Sequence, residues 1–292
     1  MTRPPLLAAD IPWLLYRSFF ALPKSITDER GRSVNALLGT VNAILGLVGP
    51  EGPLDARVVV ACMGAEQAAY RVERYPPYHA HREPMAEALA DQWGRAGELL
   101  AALGWVYEDS DTLEADDVMF SHACVEQEAG GEALLMTADR DLFGATGERV
   151  RVVQLKKGGG YELIGPTEVE QRYGIGPALV PDLIALRGDP SDGIPGAPGV
   201  GEKTAAALLV EHGSLEAALD AARAGEGSMR PRIAAALSEN DSLLRDFKHI
   251  ATLQRIDVER PPDRETDYEA GAAKAAEMGM RRLAKRLETL MA

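Results

Sequence analysis

The stretch RVVVAC, residues 57–62, decides how the N-terminal half of this chain folds. Val58, Val59 and Val60 follow one another with no polar residue between them, and a strand without alternation is one buried on both faces. Such strands belong to sheets covered by helices on each side. Leu6–Ala9 reads as another strand, as do Trp105–Tyr107, Ala133–Thr137 and Val150–Leu155. Between them, Val34–Val48, Pro84–Leu103 and Glu114–Glu128 carry helical periodicity. Strands alternating with helices predict an α/β fold, a mostly parallel sheet with helices on both faces. KKGGG (156–160) is a turn, and Tyr161–Ile164 beyond it closes a hairpin. After Pro166 only helices and Gly/Pro-rich turns follow. The boundary therefore falls near Gly165, with an α/β core over 1–165 and a helical region over 166–292. Pro261 and Pro262 mark an extended stretch before a final helix, Ala272–Leu290.

A chain of 292 residues, 46% hydrophobic, can bury a sizeable core. No apolar run reaches the ~18 residues that span a bilayer, and the opening MTRPPLLAAD is too short for a signal-peptide core. These features predict a cytoplasmic protein without a membrane partner. Cys62 and Cys124 lie in different apolar segments and read as reduced thiols, with no zinc-ligand spacing around them. The net charge of -14 argues on its face against a nucleic-acid partner. Many of the acids are clustered, however, where bound cations would offset them. Basic residues gather at Arg71, Arg74 and Arg82, and again at Arg281, Arg282, Lys285 and Arg286, which reads as a solvated helix face.

In a parallel α/β sheet, ligands collect at the carboxyl ends of the strands. Asp10 follows the first strand, Asp139 and Asp141 follow ALLMT, and Glu114, Asp116 and Asp117 open the helix after Tyr107. Asp189 and Asp192 lie in the loop GDPSDGIPG. Each group alone fits a helix cap, since acids in a first turn gain ~0.3–1 kcal/mol from the helix dipole. Sharing one crevice, they would repel strongly, and a divalent cation removes that repulsion. Oxygen donors without Cys or His select magnesium or manganese. A pair of such ions suits in-line attack on a phosphodiester.

GDPSDGIPGAPGVGEKTAAALL, residues 188–209, places a loop between helices. Gly199 and Gly201 permit close approach of a ligand to the backbone, and the N–H groups of the second helix would face an anion beside Lys203 and Thr204. This reads as a clamp on a phosphate backbone rather than a plain helix–turn–helix connector.

Taken together, LEADDV, TADRD and GDPSDGIPGAPGVGEKT, in that order, resemble the 5′-3′ exonuclease and flap endonuclease family over nearly the whole chain. The resemblance implies a PIN-like 5′ nuclease core, a helical arch over the active site and a helix-three-turn-helix DNA clamp at Asp189–Thr204, in which relatives hold potassium. It implies Asp10, Glu114 and Asp116 at a first metal site, and Asp117, Asp139, Asp141, Asp189 and Asp192 at or around a second. YRVERYPPYHAHR resembles the base of the arch. There Tyr78 and Arg82 match residues that steer the scissile phosphate, Arg71 matches a phosphate contact, and His79 stands where relatives have Lys. Gly64 stands where relatives have an acid after the second strand, and Glu66 is displaced from it by two residues. The reading is thus a monomeric, stand-alone 5′ nuclease of replication or repair, using two or more Mg2+ or Mn2+ ions. Its substrates would be 5′ flaps, nicked or branched DNA, and RNA–DNA hybrids. The rival reading is an attenuated homologue that chiefly binds DNA. An acidic magnesium hydrolase of another kind would explain the carboxylates but not the clamp.

Overall fold

The computed structural model describes residues 3–225 and 229–291. Its sheet contains β1 (Leu6–Asp10), β2 (Val58–Cys62), β3 (Val106–Glu108), β4 (Ala133–Met136), β5 (Val150–Leu155) and β6 (Tyr161–Ile164). The order across the sheet is β3-β2-β1-β4-β5-β6. Strands β1 to β5 are parallel, and β6 returns antiparallel to β5. Every residue of β1, β2 and β4 is buried, as the unbroken apolar runs require.

Alternate residues of these strands feed two apolar clusters. Leu6, Ala8, Val58 and Val60 face one, and Leu7, Ala9, Val59 and Ala61 face the other. Helix Ala115–Glu128 and the helices between Val180 and Ala251 pack on the first cluster. Helices Ile11–Ala21, Asn35–Val48 and Glu87–Ala102 pack on the second. From β1 the chain builds outward to β2 and β3 on one side, then crosses to β4 and β5 on the other. The crevice beyond the carboxyl ends of β1 and β4 is therefore the topological switch point, where open α/β sheets bind ligands.

The expected final helix is two helices, Tyr268–Glu277 and Arg281–Leu290, because Gly279 (φ 74) turns the chain between them in a conformation that suits glycine. Through Ala275, Leu283 and Leu287 both helices join the second cluster, on the face of the sheet opposite the other C-terminal helices. The extended segment 253–267 carries the chain across. Backbone N–H groups of Arg264 and Asp267 donate to the carbonyls of Arg57 and Leu103 (both 2.8 Å), and Trp105 Nε1 donates to Thr266 (3.0 Å). Among the described residues no helix is long and apolar enough to cross a membrane.

Candidate metal centre and nucleic-acid interface

A cavity of about 1260 Å3 opens at the switch point, and Asp10, Glu114, Asp116, Asp139, Asp141, Asp189 and Asp192 all line it. Asp10 ends β1 and caps the helix that follows. Its Oδ1 accepts the Trp13 N–H (2.9 Å), while its Oδ2 accepts the Thr137 hydroxyl at the end of β4 (2.7 Å). Burial pushes its carboxyl up to about 6 against those two bonds, and the nearby Asp116 and Glu114 add to the rise. Asp141 is 8% exposed. Burial first, and then Asp139, Asp192 and Asp189, push it well above the usual carboxylate range. Among the described residues its carboxylate has no hydrogen-bond or ionic partner. Asp139 is raised in the same way, by its enclosure and then by Asp192, Asp116 and Asp10. Asp139 is nevertheless exposed to solvent, so water screens its rise more than that of Asp10 or Asp141.

Asp117 stands apart from this group. Its neighbour Asp116 faces the cavity, but one residue along a helix is a rotation of about 100°, and Asp117 is 0% exposed. Its Oδ1 accepts from Arg71 (3.1 Å) and from the Gln254 N–H (2.7 Å), tying the C-terminal segment to the core. The structure therefore gives Asp117 a structural position and not a place on the cavity wall.

The residues matched to the arch base are also placed differently from expectation. Residues 75–86 form turns and extended chain, not a helical arch. Pro76, Pro77 and Pro84 lack the N–H groups a helix there would need. Arg71, expected at a DNA phosphate, has a side chain only 2% exposed and pairs with Glu114 (3.0 Å), Asp116 (3.0 Å) and Asp117. Tyr78 is buried, and its hydroxyl donates to Glu114 Oε2 (3.1 Å). His79 is buried too, in a left-handed conformation (φ 54) that is costly for a non-glycine residue. Its ring stacks on Tyr78, its Nε2 meets Asp192 Oδ1 at 2.9 Å, and its N–H donates to the Asp192 carbonyl (3.1 Å). His79 therefore positions Asp192 instead of presenting a cation to a phosphate. Tyr78, His79 and Arg82 all line the cavity, and of the three only Arg82 is half-exposed, 3.4 Å from Asp192 Oδ1.

Gly64 has no room for the acid that the resemblance places there. A Cβ there would lie 2.5 Å from the Leu113 carbonyl oxygen and 2.7 Å from the Glu114 carbonyl carbon. Glu66 also lines the cavity, where it is exposed and accepts the Tyr16 hydroxyl at 3.2 Å.

The loop Gly188–Gly201 turns on Gly188, Gly193, Gly196 and Gly199, all with positive φ. Gly199 (φ 78) requires glycine, whereas Gly201 has an ordinary backbone and open space where a side chain would go. The helix Glu202–His212 starts there, with Lys203 exposed and Thr204 half-buried beside its free N–H groups. This surface lies outside the cavity, which extends only to Glu202. Arg232 approaches Gly199 and adds a second cation, one that the sequence reading missed because it comes from a helix some thirty residues away. The same reading also missed the aromatic wall of the cavity, formed by Trp13, Tyr16, Phe20 and Trp93.

The donor set is all oxygen, and Asp141 is a buried carboxylate without a counter-charge, which fits a hard divalent cation. No three Asp, Glu, His or Cys side chains among the described residues close around one point. Magnesium, which keeps several waters and usually takes only one or two protein carboxylates, does not need such a cage.

This architecture defines a resolvase-like α/β domain joined to a helical SAM-fold domain. Residues 5–174 match the 5'-3' exonuclease N-terminal resolvase-like domain, and residues 175–270 match the 5'-3' exonuclease C-terminal SAM fold. The chain belongs to the 5'-3' exonuclease family. It is 34% identical to a 5'-3' exonuclease of Mycobacterium tuberculosis across 99% of both chains. It is 32% identical to DNA polymerase I of Mycobacterium bovis across 89% of this chain, which spans only 28% of that polymerase. The fold is similar to that of a T5 5'-exonuclease with bound divalent metal ions (TM-score 0.64, 16% identity, 98% of both chains). It is also similar to the catalytic core of Rad2 in complex with DNA substrate (TM-score 0.65, 15% identity, 99% of this chain and 91% of that one).

Proposed function

We propose that this chain is a divalent-metal-dependent 5′ nuclease that hydrolyses DNA phosphodiesters at 5′ flaps and other branched or nicked ends. The observation that carries this reading is the convergence of Asp10, Asp139, Asp141 and Asp192 on one cavity at the switch point, with Asp141 buried and unpartnered. Magnesium or manganese would supply the positive charge that a phosphodiester needs to be attacked by water. Asp139, Asp141, Asp189 and Asp192 would hold it, with Asp192 aligned by His79 and Asp10 fixed by Thr137 and Trp13. Arg82 would meet the incoming phosphate at the rim. Lys203, Arg232 and the helix N–H groups beside Gly201 would grip the duplex backbone without reading its sequence.

An attenuated form of the same reading is favoured by a separate observation: Gly64 brings no acid, and backbone fills its side-chain space. Incubating the protein with a labelled 5′-flap duplex, in magnesium, manganese or EDTA, tests both readings. Cleavage with metal and none in EDTA supports the nuclease. Flap binding without cleavage in any metal supports the attenuated form.

A further inference from the structure

Glu114 and Asp116, two of the three carboxylates that the resemblance assigns to the first metal site, are already paired with a cation. Glu114 accepts the Ala68 N–H (2.8 Å) and Arg71 on Oε1 and the Tyr78 hydroxyl on Oε2, so both its oxygens are engaged. Asp116 takes Arg71 on both oxygens (3.3 and 3.0 Å) and caps the Asp117 N–H at 2.7 Å. Arg71 is fixed in turn by the Ile250 carbonyl (3.2 Å) and is nearly without solvent. An ion entering between Glu114 and Asp116 would have to displace a buried guanidinium and leave Asp117 without its counter-charge, an exchange that buried ion pairs resist strongly. Nor does Gly64 bring a side-chain oxygen, and the chain at 113–115 leaves no room for one.

The other side of the cavity is different. Asp141 is 8% exposed, faces the cavity and has no partner among the described residues. His79 and Arg82 both engage Oδ1 of Asp192, which leaves Oδ2 open. Among the described residues the carboxylate of Asp139 accepts only the Asp141 N–H of its own turn (2.9 Å).

We propose that the DNA-free protein binds a single divalent ion, on the Asp139–Asp141–Asp192 side, with Arg71 serving as the fixed cation of the Glu114–Asp116 side. This rests on the reading of the cavity as a divalent-metal site. It implies that any second ion of a two-ion mechanism arrives with the phosphate of the DNA. The test is titration of the full chain with Mn2+ at pH 8 without DNA, with free Mn2+ followed by electron paramagnetic resonance. The expected result is one bound ion per chain. Asp141→Asn, which removes a repelling charge and should fold, is expected to weaken that binding at least tenfold, and Glu114→Gln to leave the count at one. Two ions of comparable affinity, or loss of the ion in Glu114→Gln, would overturn the inference while leaving the metal-dependent reading standing. No bound ion in the wild-type protein would overturn both.

Discussion

Asp10→Asn should stabilise the metal-free protein at pH 8. The carboxyl of Asp10 moves from 3.8 to about 6 on folding, chiefly through burial. At 8% exposure little solvent screens that shift. Because the folded value is raised, the fold holds the proton more tightly than the unfolded chain, so stability is lost as pH rises from about 4 through about 6. A shift of roughly two units corresponds to about 3 kcal/mol, all of it already lost at pH 8. The asparagine keeps the size and can still accept the Trp13 N–H and donate to the Thr137 hydroxyl, but carries no charge to desolvate. It should recover most of that energy, a rise in melting temperature of about 6 °C at the ~2 °C per kcal/mol expected for a chain of this size. The assay is thermal unfolding of both proteins in EDTA between pH 4 and 8. The curves should meet near pH 4 and separate as pH rises. With saturating magnesium the gap should narrow, since an ion on the Asp139–Asp141–Asp192 side of the same cavity offsets the Asp10 charge. A variant that melts below wild type in EDTA at pH 8, or two curves that stay parallel, would show that Asp10 is not a strained, uncompensated charge.

Other substitutions test the remaining parts. Gly64→Asp should not restore a metal ligand. With its Cβ 2.5 Å from a backbone oxygen it should cost about 1–3 kcal/mol in urea unfolding and leave the metal concentration at half-activity no lower than in wild type. Arg71→Met should destabilise the protein by about 3–5 kcal/mol at pH 8, because it leaves three carboxylates crowded without their guanidinium. An unchanged melting temperature would refute that role. Lys203→Ala should weaken duplex binding equally across sequences and lower the salt slope by about one, measured by fluorescence anisotropy in EDTA. An unchanged slope would remove Lys203 from the clamp.

The sheet was legible because β1, β2 and β4 are buried on both faces and so appear as unbroken apolar runs. Which acid faces the cavity was less legible. Asp116 and Asp117 are adjacent letters on different helix faces, although the buried Ser121, one turn beyond Asp117, marks Asp117 as part of the inward stripe. The roles of Arg71 and His79 could not be read locally. Arg71 is defined by partners more than forty residues away and by a carbonyl at Ile250, and His79 by a backbone conformation that its identity does not announce. The closure over Gly64 is likewise a tertiary fact. Its glycine read as a missing ligand, whereas the structure makes it a point of close backbone approach.

The central claim is that the acidic cavity at the switch point cuts DNA from its 5′ end with the help of a divalent ion. The most direct measurement is the single-turnover cleavage rate of a 5′-labelled flap duplex in magnesium, for wild type and Asp139→Asn. A duplex of identical sequence with a 3′ flap and the same reaction in EDTA serve as controls. The account predicts metal-dependent release of the labelled 5′ segment by wild type, a fall of at least a hundredfold in Asp139→Asn with flap binding in EDTA retained, and no cut on the 3′ flap. Cleavage that persists in EDTA, or that Asp139→Asn leaves unchanged, would contradict it.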